Sequence, residues 1–304
     1  MELKAEPCVE IDPSKFMILL GPQFTSTVLK ELGVRESSGK TPVLSFSGIV
    51  ERGISLLLET EQFQSDSERS KYEMLYRNAY ELDPLFAVRK LAASLKKSGH
   101  YATWLKRVFE VPLEAENGRS LQRSPSLQRL LELQRRGALL VYTHCDNVLD
   151  RAADLQSILL EDAENTGKWC RGETPGILRV HGVYWEPGSV KLDCEFYENV
   201  AHPLRPSAEM LKKVFEVKHK IVIGFNAPSD DPLQSKFLEN FVDDNPKQHV
   251  FFMSECPAPP ASYLPVSTNH VVSSAVAMVA DSSLSVCKSC LVTKQVLVLS
   301  SWEA

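Results

Sequence analysis

Leu139-Leu140-Val141-Tyr142-Thr143-His144-Cys145-Asp146 is a short apolar run that stops abruptly in polar residues, and Ile177-Leu178-Arg179-Val180-His181-Gly182-Val183-Tyr184 repeats the form. Short apolar runs without alternation mark strands buried on both faces, the condition of a parallel sheet. The stretch between them has room for a helix. In open α/β sheets ligands bind beyond the carboxyl ends of the strands, so the clusters starting at Thr143 and His181 read as one site. An imidazole, a carboxylate and a glycine are groups that nucleotide and glycosyl chemistry uses.

Working outward, Phe16-Met17-Ile18-Leu19-Leu20 is another buried strand, stopped by Gly21-Pro22, with Thr25 or Ser26 placed to cap a helix through Glu31. Phe46 to Leu58 has helical periodicity. Gln62 to Arg107 is charged and helical, with Leu75, Leu82, Phe86, Val88, Leu91 and Leu95 as core contacts. Glu116 to Pro125 reads as a loop, and the helix from Ser126 ends at Gly137, a C-cap signal. After strand Ala138–Tyr142 come a helix over Asn147–Ser157, a loop to Gly176 and the strand at Ile177. Then follow a short strand at Val190–Leu192, an amphipathic helix over Ala208–Val217 and the strand Ile221–Ile223 ending at Gly224. A helix from Asp231-Pro232 and a strand over His249–Met253 complete the series. Val271–Ala280 and Gln295–Leu299 fit helix or strand equally. This alternation predicts one α/β domain over residues 1–304, a doubly wound, Rossmann-like parallel sheet. A helical insertion falls at about 60–125, and the segment from about 258 to 304 has no assignment.

The chain has 304 residues, 43% hydrophobic and 24% charged, ordinary values for a globular protein. A net charge of −5 argues against a nucleic-acid partner, which calls for a basic surface. No apolar run is long enough to span a membrane, and Met1 to Pro7 has no signal-peptide core. Seven scattered cysteines do not make a secreted disulfide framework, so a cytoplasmic or nuclear location is expected. Cys287-Lys288-Ser289-Cys290 lacks a second ligand pair, and no metal site is expected. Cys145 beside His144 reads as packing, and Arg119, Arg123, Arg135 and Arg136 as solvated.

The ordered stretches Ser45-Phe46-Ser47-Gly48-Ile49-Val50, Gly137 to Asp150, His181-Gly182-Val183-Tyr184 and Ile223-Gly224-Phe225…Ser229-Asp230-Asp231-Pro232 resemble the sirtuin-like NAD-binding domain. The likeness covers residues from about 15 to 255 and is nearer to animal sirtuin-like proteins without a zinc module, linked to NAD processing and filament assembly. The resemblance implies NAD as cofactor, bound through Gly21, Gln23, Thr25, Thr143, Gly182, Gly224, Asn226 and Asp231, with His181, His144 and Asp146 at the reacting ribose. Two motifs depart from the family. Its first turn reads Gly-x-Gly, where this chain has Gly21-Pro22-Gln23. Its second strand end reads Thr-x-Asn-x-Asp, where this chain has Tyr142-Thr143-His144-Cys145-Asp146. Proline removes an amide that could cradle phosphate, and Gln23 puts a side chain where backbone would approach it.

Each of these residues also has a plainer reading. Asp146 is either a pocket carboxylate or an N-cap, and Asp231 before Pro232 has the same two readings. His144 either replaces the family's Asn as a donor to ribose or fills a dead site. Gly224 and Asn226 line an adenosine pocket or form a tight turn. His181 is the base candidate, since imidazole titrates near neutrality. The resemblance implies a degenerate member that binds NAD or a related nucleotide and works by homo- or hetero-assembly with a sirtuin-like partner. Its alternative is an active NAD glycohydrolase with His181 as base; a third is an unrelated α/β protein. The absence of a four-cysteine zinc module counts against lysine deacylation.

Overall fold

The computed structural model describes residues 12–32, 45–61, 63, 65–110, 124–153, 155–192, 205–225, 231–241, 250–253 and 297–298. The strands are β1 (Phe16–Leu20), β2 (Leu139–Tyr142), β3 (Ser157–Leu159), β4 (Ile177–Arg179), β5 (His219–Ile223), β6 (Val250–Met253) and β7 (Leu297–Val298). They form one sheet in the order β3-β4-β2-β1-β5-β6-β7, and every pairing is parallel. The chain lays β2, β3 and β4 on one side of β1 and then crosses to β5 on the other, so the order reverses at β1. This is a Rossmann-like α/β fold, as its alternating runs predict.

Both faces of the sheet are covered, which is why β1 and β2 have no polar alternation. Phe16, Ile18 and Leu20 pack with Leu140 and Tyr142 against α1 (Pro22–Glu31), α6 (Pro125–Arg135) and α7 (Val148–Ala153). Met17 and Leu19 join Leu139 and Val141 on the opposite face. There they meet α2 (Phe46–Thr60), α4 (Pro84–Lys97), α5 (Tyr101–Phe109), α8 (Ala163–Cys170), α9 (Arg205–Val217) and α10 (Pro232–Phe241). The predicted insertion is helical where described: α3 (Asp66–Leu82) lies outside α4, and the indole of Trp104 donates to Ile49 O at 3.1 Å, joining α5 to α2.

Several local expectations are corrected. Thr25 and Ser26 do not cap α1: the helix starts at Pro22 with Gly21 as N-cap, because proline at the first position has no amide to leave unpaired. Leu75, Leu82 and Phe86 are exposed, whereas Val88, Leu91 and Leu95 are buried. The inward stripe of α3 is Tyr72, Tyr76 and Tyr80, four residues apart, which turns Leu75 and Leu82 outward. The stretch read as a loop to Gly176 contains β3 and α8, the latter capped by Asp162, whose Oδ1 accepts the Asn165 amide at 3.0 Å. The helix after Asn147 ends at Ala153, and Val190–Leu192 is not a strand. Asn226, the cysteine pair Cys287 and Cys290 and the stretch Val271–Ala280 lie outside the described residues.

At the reversal point the turns after β1 and β5 close on each other. The Gly21 amide donates to Ile223 O at 2.9 Å, and the Gln23 amide to Gly224 O at 3.0 Å. A Cβ at Gly21 would lie 2.3 Å from Gly224 O; Gly224 has φ +69°, and a Cβ there would lie 2.4 Å from the Phe24 nitrogen. Both glycines are therefore required by backbone meeting backbone. Gly224→Ala combines left-handed strain with this clash, at a cost of at least about 2 kcal/mol. Thermal unfolding followed by circular dichroism should show a drop of at least about 4 °C; an unchanged midpoint would mean that the turns do not meet this way.

Candidate functional site

The carboxyl ends of β1, β2 and β4 are joined by one buried polar network. Its centre is Asp146, fully buried. Asp146 Oδ2 accepts the Thr25 hydroxyl at 2.8 Å, lies 2.7 Å from His144 Nδ1 and accepts the Tyr142 hydroxyl. The Thr25 and Tyr142 hydroxyls also touch each other. Asp146 Oδ1 accepts the Val148 amide at 2.8 Å, at the first turn of α7. One oxygen thus receives the amide that opens α7, and the other gathers three side chains. Burial opposes its charge, but the hydrogen bond and field of His144, the Arg179 guanidinium and the Tyr142 hydroxyl outweigh it and bring the carboxyl down to about 2. Burial, then the Asp146 charge, keeps the Tyr142 phenol neutral, with its pKa well above the usual value.

Arg179 supports this network from β4. It is fully buried, its guanidinium lies 4.6 Å from the centre of the Tyr142 ring, Nη1 donates to His144 O at 3.1 Å and Nε to Ser157 Oγ at 3.0 Å. Its remaining nitrogen pairs with Asp150 on α7. Tyr142 and Arg179 were read from sequence as parts of strands, not as site residues. The signal was a lone cation inside the buried run Ile177–Val180, because a charge there must have partners.

His181 lies beside the network with 1% exposure. Its Nδ1 is 2.8 Å from Thr143 O. A carbonyl only accepts, so Nδ1 bears the proton and Nε2 is the basic nitrogen. Burial, partly offset by that hydrogen bond, lowers the imidazole to about 4. Aromatic edges flank both histidines: Phe109 is 5.1 Å from His144 and Phe237 is 6.2 Å from His181, centroid to centroid.

The remaining predicted residues have structural partners. The Thr143 hydroxyl and amide both donate to Leu20 O, at 3.1 and 3.0 Å, tying the ends of β2 and β1 together. Gly182 turns the chain against Ser189, where a Cβ would lie 2.2 Å from Ser189 O. Asp231 caps α10 through the Gln234 amide at 3.0 Å; burial raises its pKa, opposed chiefly by the hydrogen bonds from the Gln234 amide and side chain. The Gln23 carbonyl accepts the Thr27 hydroxyl at 3.1 Å. Cys145 Sγ lies 3.3 Å from His181 O, and burial pushes its thiol up to about 12, as suits a packing residue. Among the described residues no group of His, Cys, Asp or Glu could hold a metal ion, and no helix is long and apolar enough to cross a membrane.

No protein-family model matches this chain. The site's chemistry is therefore read from its own geometry: an ionised carboxylate, two imidazoles and two hydroxyls at a strand-order reversal.

Two outcomes follow. His181 protonates near 4 in the folded chain and near 6.5 unfolded, so the unfolded chain binds more protons between these values. Its contribution to stability is full above about pH 6.5 and falls by roughly 3 kcal/mol as pH drops through about 4. Urea midpoints measured from pH 7 to 4 should show this slope, and His181→Gln should flatten it. Asp146→Asn leaves three donors facing a poorer acceptor and should cost roughly 3 kcal/mol at pH 7; a cost below about 1 kcal/mol in the same assay would show that the network is not cohesive.

Proposed function

We propose that this chain is a divergent sirtuin-like protein that binds NAD or a related nucleotide at the strand-end site and acts through assembly, with copies of itself or with a sirtuin-like partner. The observation that carries the reading is the meeting of Thr25, His144, Asp146 and His181 beside the reversal of strand order, where open α/β sheets bind ligands. Three separate segments supply them. The two departures in the motifs support degeneracy: Pro22 and Gln23 stand in a turn whose amides serve the backbone, and His144 donates inward to Asp146. Leu75, Leu82 and Phe86, exposed by 46%, 88% and 49% on the α3–α4 hairpin, support assembly. The protein works in the cytoplasm or nucleus, without nucleic acid or membrane.

The second reading, an NAD glycohydrolase, is favoured by the tautomer of His181. Held neutral with Nδ1–H on Thr143 O, the imidazole has Nε2 as its basic nitrogen. Water oxygen would bond to ribose C1′ as the C1′–nitrogen bond breaks. Nicotinamide leaves with the bonding pair, and the proton of the water passes to His181 Nε2. The positive charge that develops on the sugar suits the ionised Asp146 nearby.

Sizing chromatography and thermal shift with NAD test the first reading, which predicts oligomers and ligand stabilisation; a strict monomer with no shift overturns it. Nicotinamide release, measured on the assembled protein and lost in His181→Ala, would replace it with the second.

A further inference from the structure

We propose that the strand-end site recognises a riboside, a ring joined to an uncharged sugar, and that the diphosphate of a dinucleotide contributes nothing to its binding. The inference rests on the pocket reading above and narrows its ligand class.

A diphosphate at such a site is normally held by backbone amides at the first turn of the helix after β1, where the helix dipole adds to them. In this chain those amides are engaged. Gly21 N donates to Ile223 O at 2.9 Å, Pro22 has no N–H, Gln23 N donates to Gly224 O at 3.0 Å and Phe24 N to Gly21 O at 3.1 Å. The glycines that would let backbone approach a phosphate let the two turns approach each other instead, with Gly21 and Gly224 too close for any side chain between them. Opening this seam would break hydrogen bonds that hold the ends of β1 and β5 in register.

The charges point the same way. The buried cation beside the site, Arg179, is turned onto Asp150, Ser157 and His144 O, across the Tyr142 ring. The site itself holds Asp146 in its ionised state. A carboxylate near a passing diphosphate is unfavourable, whereas sugar hydroxyls match the kinds of group present: hydroxyls on Thr25 and Tyr142, imidazoles on His144 and His181 and a carboxylate acceptor. Phe109 and Phe237 pack against the two imidazoles and make the surroundings of the site apolar.

The experiment uses the unmodified full chain with NAD, nicotinamide riboside, adenosine, ADP and inorganic pyrophosphate, read by thermal shift and by calorimetric titration. Nicotinamide riboside or adenosine should bind within about threefold of NAD, ADP should bind no tighter than adenosine, and inorganic pyrophosphate should not compete at about a hundredfold excess. If NAD binds more than about tenfold tighter than either riboside, or pyrophosphate competes with it, this inference falls while the pocket reading stands. Silence with every compound overturns both.

Discussion

A carboxylate with no exposure is the constraint on which the upper end of this sheet depends. Asp146 is 0% exposed and ionised, a state that costs several kcal/mol unless hydrogen bonds replace the lost water. The replacement comes from a hydroxyl on α1, a hydroxyl at the end of β2, an imidazole two residues away and the amide that opens α7. Arg179 then reaches from β4 across the Tyr142 ring to the carbonyl of His144. Strands β1, β2 and β4 are thus held at one end by a charge as well as by their ladders.

How far sequence alone reaches can be judged residue by residue. The runs at Phe16, Leu139, Ile177 and Ile221 were legible because a strand buried on both faces has no polar alternation to confuse it. β3 and α8 were not, since three residues beginning with Ser157 and eight beginning Ala163-Glu164 have too little period to stand out. In α3 the core stripe is made of tyrosines, so counting aliphatic residues chose Leu75 and Leu82, on the wrong face.

The site shows the same division. That His144, Asp146 and His181 would lie together followed from two strands ending side by side in a parallel sheet. Which atoms they would touch did not follow. Spacing reports the face a residue occupies and says nothing of which hydroxyl crosses from another strand, so the meeting of the Thr25 and Tyr142 hydroxyls on one oxygen of Asp146 was not expected. Gly21 and Gly224 were legible as the residues that end two strands, but not as a pair whose turns close on each other.

Two kinds of polar group meet at this sheet end, and they differ in how readily they change partners. The hydroxyls of Thr25 and Tyr142 and the imidazole of His144 are on side chains, and a change of rotamer releases any one of them from Asp146 at the cost of a single hydrogen bond. The amides of Gly21 and Gln23 are bound to carbonyls of the neighbouring strand and its turn, and freeing them requires two backbone segments to part. The turns after β1 and β5 are therefore fixed by backbone pairing built into the packing of the sheet, whereas the partners of Asp146 can exchange by side-chain rotation.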